Sequence, residues 1–171
     1  MKTVILLAIV LVISSVNGVA QIRSTVGGKT SGASTSVSEG VSSLGDARSI
    51  EQEVFRLVNK YRTNRGLKAL EWYESIAAVC RKHSQNMASK KTKLGHDGFE
   101  KRKNQLVATI DFNSIAENVA GGNFVTLETL VEQWVNSNDH RVNMEGDYTN
   151  SGIGVALTKK GAIFITQIFV K

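Results

Sequence analysis

Proline is missing altogether, and cysteine occurs once, at Cys80. A lone thiol excludes an intrachain disulfide, so the fold must be held by packing. Cys80 lies in an apolar helical stripe, where a buried structural thiol is expected. Aromatic residues make up only 6% of the chain and are not interleaved with the basic ones. Without a zinc-knuckle or sheet-aromatic motif either, nucleic-acid binding is not expected. There is no Asn-x-Ser/Thr sequon, Gly-x-Ser-x-Gly elbow, His-Glu-x-x-His helix, dinucleotide fingerprint or phosphate loop, which closes the usual single-motif routes to an enzyme.

What is present begins with MKTVILLAIVLVISSVNGVA, residues 1–20. One positive charge at Lys2, an apolar run from Val4 to Ile13 and small residues at Gly18 and Ala20 form the pattern of a cleaved secretory signal. The run falls well short of the roughly twenty residues a spanning helix needs, so no transmembrane anchor is expected after cleavage. Residues 21–48 are dominated by Ser, Gly and Thr and hold too little apolar surface to offset the entropy of ordering, which predicts a flexible linker. Residues 49–171 are long enough for one domain with a real core. The net charge of +6 is spread thinly. Short basic clusters, Lys90, Lys91 and Lys93 or Lys101 to Lys103, read as solvated faces, and the charge is compatible with acidic cell-surface polymers or anionic lipids.

Periodicity divides the domain into helices followed by strands. Ser49 opens a Ser-x-x-Gln pattern, and Ile50, Val54, Leu57, Val58 and Tyr61 follow at helical spacing, predicting a helix from Ser49 to about Asn64 ended by Gly66. A second helix is predicted from about Glu74 to Ser89, with Ile76, Ala77, Cys80, His83, Ser84 and Met87 on its inner stripe. Leu106 to Phe112 reads as a short strand. Thr126 can cap a third helix whose apolar face is Leu127, Leu130, Val131 and Trp134. GIGVALT (152–158) and AIFITQIFV (162–170), joined by Lys159, Lys160 and Gly161, form a predicted hairpin. The class is α+β.

Three separated segments each offer one ionisable group. His96 sits in LGHDGFEKR, Glu117 in SIAENVAGGN and His140 in WVNSNDHRVN. A continued Trp134 helix would turn His140 about 240° away from the apolar stripe, so a bend is expected at Asn138 and Asp139. His83 reads as a half-buried histidine bonded to the backbone. A carboxylate with two imidazoles suits a divalent metal or acid/base work.

VFRLVNKYRTNRGLKALEW, GHDGFEKR, AENVAGG, WVNSNDHRVNM and GIGVAL...ITQIF occur in an order and spacing that resemble the CAP superfamily: cysteine-rich secretory proteins, antigen 5 and pathogenesis-related 1 proteins. The likeness covers about Glu51 to Val170, and is to the short, disulfide-poor bacterial form of this SCP domain. It implies a three-layer α-β-α sandwich with a mainly antiparallel central sheet and a cleft on one side. His96 matches the family's first cleft histidine and Glu117 the glutamate of its Gly-Glu-Asn motif, with Ala116 in place of glycine and Asn118 next to it. Ser137 stands where the second glutamate is usual, and Phe164, three residues before Gln167, where the second histidine is usual. His140, Arg141 and Asn143 match a bacterial His-Arg-x-Asn motif, so His140 is a further cleft candidate.

The resemblance implies a secreted, extracellular protein and no nucleophile. It points to a non-enzymatic binding module for a sterol or fatty acid, a cell-surface component or a protein partner. The alternative it leaves open is a metal-assisted hydrolase, with His96 and His140 on a divalent ion such as zinc and Glu117 as general base. A third reading is a structural cleft in which His96 and Glu117 pin loops through hydrogen bonds.

Overall fold

The computed structural model describes residues 46–171, so the expected signal segment and the stretch up to residue 45 lie outside the described residues. The first helix, α1, is Ala47–Asn64. It starts two residues before the predicted point because Asp46, not Ser49, is the cap: the Asp46 carboxylate accepts from the Ser49 N–H at 2.9 Å. Strand β1 (Glu71–Trp72) and helix α2 (Glu74–Ala88) follow. Helix α3 spans Phe99–Val107. The predicted strand over Leu106 to Phe112 is therefore incorrect: Phe99, Arg102 and Leu106 recur at helical spacing and are all buried, so Leu106 completes the inner face of α3.

The missing strand lies further on. β2 is Ile115–Gly122. Helix α4 is Leu127–Asn136, capped by Thr126 through the Thr129 N–H, as predicted. Ser137, in extended conformation, breaks the chain from α4 into α5, Asn138–Glu145. The bend thus comes one residue before the expected place. β3 (Asn150–Leu157) and β4 (Ile163–Val170) form the predicted hairpin, and Gly161 takes a φ of 83° in its turn.

The sheet order is β1-β3-β4-β2. β4 pairs antiparallel with both β3 and β2, and only the two residues of β1 run parallel to β3. Each sheet face has its own apolar cluster. Ile76, Val79 and Cys80 of α2 with Phe99 and Leu106 of α3 cover Ile115, Ile168 and Val170. On the other face α1, α4 and Met144 of α5 cover Ala116, Ile153, Val155, Ile163, Ile165 and Phe169. These are the three layers of an α-β-α sandwich. Burying each large aliphatic side chain contributes roughly 1.5–3 kcal/mol.

The α2 layer sits unusually low on the sheet. A Cβ on Gly152 would meet the Ala77 backbone nitrogen at 2.3 Å, and one on Gly154 the Arg81 nitrogen at 1.9 Å. Cys80 Sγ and Ser84 Oγ use this closeness to donate to the carbonyls of Gly152 and Gly154, at 3.4 and 2.8 Å. Cys80 is buried, as expected. On the far side, β1 pairs only with Asn150 and Ser151. Beyond it the Val155 N–H donates to the buried Glu51 carboxylate of α1 at 3.1 Å, and Arg81 grips the same carboxylate at 2.8–3.0 Å.

Candidate functional site

Alternation along β2 sends Ile115 and Glu117 toward α2 and α3, and Ala116 and Asn118 toward α4 and α5. The Glu117 side chain is only 1% exposed. Burial alone costs an ionised carboxylate several kcal/mol, so partners must offset it. Arg102, on the buried stripe of α3, supplies most of them: its Nε donates to Glu117 Oε2 and its Nη2 to Oε1, both at 2.7 Å. His96 Nδ1 donates to Oε1 at 2.9 Å. Burial pushes the Glu117 carboxyl up, but these hydrogen bonds and the Arg102 charge outweigh it and hold the group below its ordinary value.

Arg102 is the hub of a wider network. Its Nη1 donates to Asp97 O at 2.8 Å and its Nη2 to His96 O at 3.4 Å, which fastens the loop before α3. Nη1 also lies 3.1 Å from His83 Nδ1. His83 Nε2 faces the Gly95 carbonyl at 2.8 Å, and a carbonyl only accepts, so Nε2 carries the hydrogen and Nδ1 receives Arg102. Burial and the adjacent Arg102 charge hold His83 below the ordinary imidazole value. The expected backbone bond of His83 is present, and the histidine also orients Arg102.

The remaining cleft candidates lie on the other side of β2. Asn118 Nδ2 donates to His140 O at 3.1 Å, while Asn143 Nδ2 donates to Asn118 Oδ1 at 2.9 Å and to Glu117 O at 3.3 Å. His140 is buried beside Trp134, ring centroids 6.2 Å apart, and its Nδ1 has no hydrogen-bond partner among the described residues. Burial first, and then the His96 charge, lowers its pKa. Gln167 is fully buried on this same face and donates to Ser151 Oγ at 3.0 Å. Ser137 forms the α4–α5 bend. The structure therefore joins His96 to Glu117 directly, while none of His140, Asn118, Gln167 and Ser137 bonds the Glu117 carboxylate.

Sequence reasoning misses Arg102 as the partner of Glu117, and His83 as the partner of Arg102. It puts Arg102 in a solvated Lys101–Lys103 cluster; the helical phase of Arg102 with Phe99 and Leu106 is the signal that places it inside. Among the described residues no group of three His, Cys, Asp or Glu side chains is placed to hold a metal ion. The donor chemistry agrees: three hydrogen bonds occupy Glu117, and a guanidinium lies where a cation would have to approach. A divalent metal does not fit this arrangement.

A concavity lies between α1 and α4. It has a volume of about 270 Å³, with Leu57, Tyr61, Val131 and Val135 in its lining and Lys60, Glu128 and Glu132 also present. Its lining is mostly apolar, in contrast to the hydrogen-bonded Glu117 network.

The family model described as CAP, cysteine-rich secretory protein family, matches residues 55–169. An uncharacterized membrane protein of Bacillus subtilis, YlbC, is 34% identical over 130 residues, covering 71% of this chain and 34% of the relative. The chain thus spans about a third of that relative's length. An extracellular protein containing an SCP domain from Bacillus anthracis superposes with a TM-score of 0.57 at 25% identity, over 73% of this chain and 41% of that one. An outer surface protein from Borrelia burgdorferi gives a TM-score of 0.64 at 21% identity, over 74% and 96%, a likeness of fold. Among the described residues no helix is long and apolar enough to cross a membrane.

Proposed function

The chain belongs to the CAP, or cysteine-rich secretory protein, family, and from that premise we propose that it is a secreted, non-enzymatic binding module whose ligand is a single fatty-acyl chain held between α1 and α4. The observation that carries this reading is the apolar groove. Its volume of about 270 Å³ is near the lower end of small-ligand pockets, roughly 300–1,000 Å³. That space suits one narrow chain better than a fused-ring sterol. Leu57, Val131 and Val135 offer apolar contact, and the Lys60 ammonium can meet a carboxylate at the rim.

The alternative, a metal-assisted hydrolase, asks Glu117 to take a proton from water. A good general base has a pKa near the working pH, whereas Glu117 is held below its ordinary value and its oxygens already accept from Arg102 and His96. The His96–Glu117 pair fits the structural role better, pinning the 95–98 loop to β2.

Titration with the fluorescent fatty acid cis-parinaric acid tests the proposal. Binding in the micromolar range, weakened at least about tenfold by Val135→Glu, which places a charge in the half-buried lining, is the expected result. Absence of binding, or binding unchanged by Val135→Glu, removes the groove as the ligand site.

A further inference from the structure

Basic residues are treated in two ways in this domain. All seven arginines among the described residues, Arg102 with Glu117 among them, have hydrogen-bond or ion-pair partners within the protein. By contrast Lys82, Lys90, Lys91, Lys93, Lys159 and Lys160 are exposed and make no side-chain hydrogen bond or ion pair; the lysine ion pairs found among the described residues are those of Lys103 and Lys171. Three of the six converge. Lys82 on α2, Lys91 in the loop after it and Lys159 in the β3–β4 turn line one hollow of about 470 Å³, and no Asp or Glu among the described residues lines it. Lys90, Lys93 and Lys160 are their near neighbours in the chain.

Like charges gathered around a concavity repel one another and raise the local potential, a cost recovered when an anion enters. We infer that the hollow between the end of α2 and the β3–β4 turn binds a flexible phosphodiester polymer without bases, successive phosphates meeting Lys82, Lys91 and Lys159. Lysine suits this task, because a mobile point charge follows a flexible chain where the planar fork of arginine demands fixed geometry. A bilayer is the poorer match. The exposed large apolar residues, Tyr73, Val107, Val125 and Val142, lie outside this lining, so nothing here would insert among acyl chains. No aromatic among the described residues lines the hollow either, which leaves the bases of a single-stranded nucleic acid without a stacking surface there. The site lies on the α2 side of the sheet and the α1–α4 groove on the opposite side, so the two can be filled together. This inference is independent of the fatty-acid reading.

Poly(glycerol phosphate) binding to the full chain, measured by calorimetry over a range of salt, tests it. We expect binding whose log K falls with log salt at a slope of roughly −2, as for three phosphate contacts. The triple variant Lys82→Ala, Lys91→Ala, Lys159→Ala should weaken it by roughly tenfold or more. The control Lys68→Ala, Lys101→Ala, Lys103→Ala removes the same charge elsewhere and should change it less than about threefold. Thermal unfolding checks that both variants fold, as expected where every substituted lysine but the half-buried Lys103 is exposed. Equal weakening by both triples would mean net charge alone, and would overturn the site. No binding at low salt, stronger binding to phosphatidylglycerol vesicles, or stronger binding to single-stranded DNA overturns it as well.

Discussion

Replacing Arg102 by methionine keeps much of the side-chain volume and removes the charge. Five contacts vanish: two to Glu117, one each to Asp97 O and His96 O, and the one to His83 Nδ1. Glu117, 1% exposed, would keep only His96 as a side-chain donor. Removing one partner of such a pair costs about 3–5 kcal/mol, because the other charge is stranded. At this domain size that is a fall of roughly 10–20 °C in Tm. The double variant Arg102→Met, Glu117→Leu strands nothing, and paired apolar replacements of this kind are often close to neutral. Its loss should therefore be smaller than that of Arg102→Met alone. Urea denaturation of the two single variants and the double closes the cycle. A single-variant cost under about 1 kcal/mol, or additive costs in the double, would refute the view that Arg102 and Glu117 act as one buried unit.

Acid should weaken the fold in a defined window. His83 and His140 are both depressed, by burial first and then by Arg102 and His96 respectively, so the folded state refuses protons that the unfolded chain accepts. Their stability is complete above the ordinary imidazole value of 6.5 and is lost as pH falls below it, at up to about 1.4 kcal/mol per pH unit for each proton. Glu51, pushed up to about 7 by burial, works the other way. The check is therefore that the change in Tm between pH 7 and 5 becomes less destabilising in His140→Gln, and an unchanged pH profile in that variant would contradict this. Gly154→Ala drives a methyl into the backbone of α2, which has no flexible end to move, so a loss of at least about 2 kcal/mol is expected from urea unfolding. A cost near zero would show that α2 can lift off the sheet. Zinc titrated by calorimetry should bind no tighter than the millimolar range, since the oxygens of Glu117 are engaged. Micromolar one-to-one binding lost in both His96→Ala and His140→Ala would reverse that conclusion.

Elements with one clean period are legible from sequence. The α1 stripe, the Thr126 cap and the β3–β4 hairpin each follow from neighbours in the chain. β2 is not, because its first five residues are all buried, including Glu117 and Asn118, and neither alternation nor a hydrophobic run marks it. The pairing of His96 with Glu117 comes from family resemblance rather than spacing. Arg102 stays hidden because a charged residue between two lysines looks solvated, and its reason for burial is a carboxylate 15 residues away on another element. Gly152 and Gly154 read correctly as strand, but the helix backbone they admit is a tertiary fact with no local sign.

The carboxylate of Glu51 on the Val155 N–H has a consequence for what the sheet can join. An open strand edge invites a strand from another molecule, and proteins commonly block it with proline or an edge lysine. This chain has no proline. On one side Glu51 occupies the donor that an incoming strand would need beyond β1, and on the other Asn143 occupies the Glu117 carbonyl of β2. Side chains from the helical layers thus hinder growth at both margins, and loss of either should appear as self-association into fibrous aggregates during long storage at high concentration, together with a lower melting temperature, because Glu51 and Asn143 are both buried and bonded.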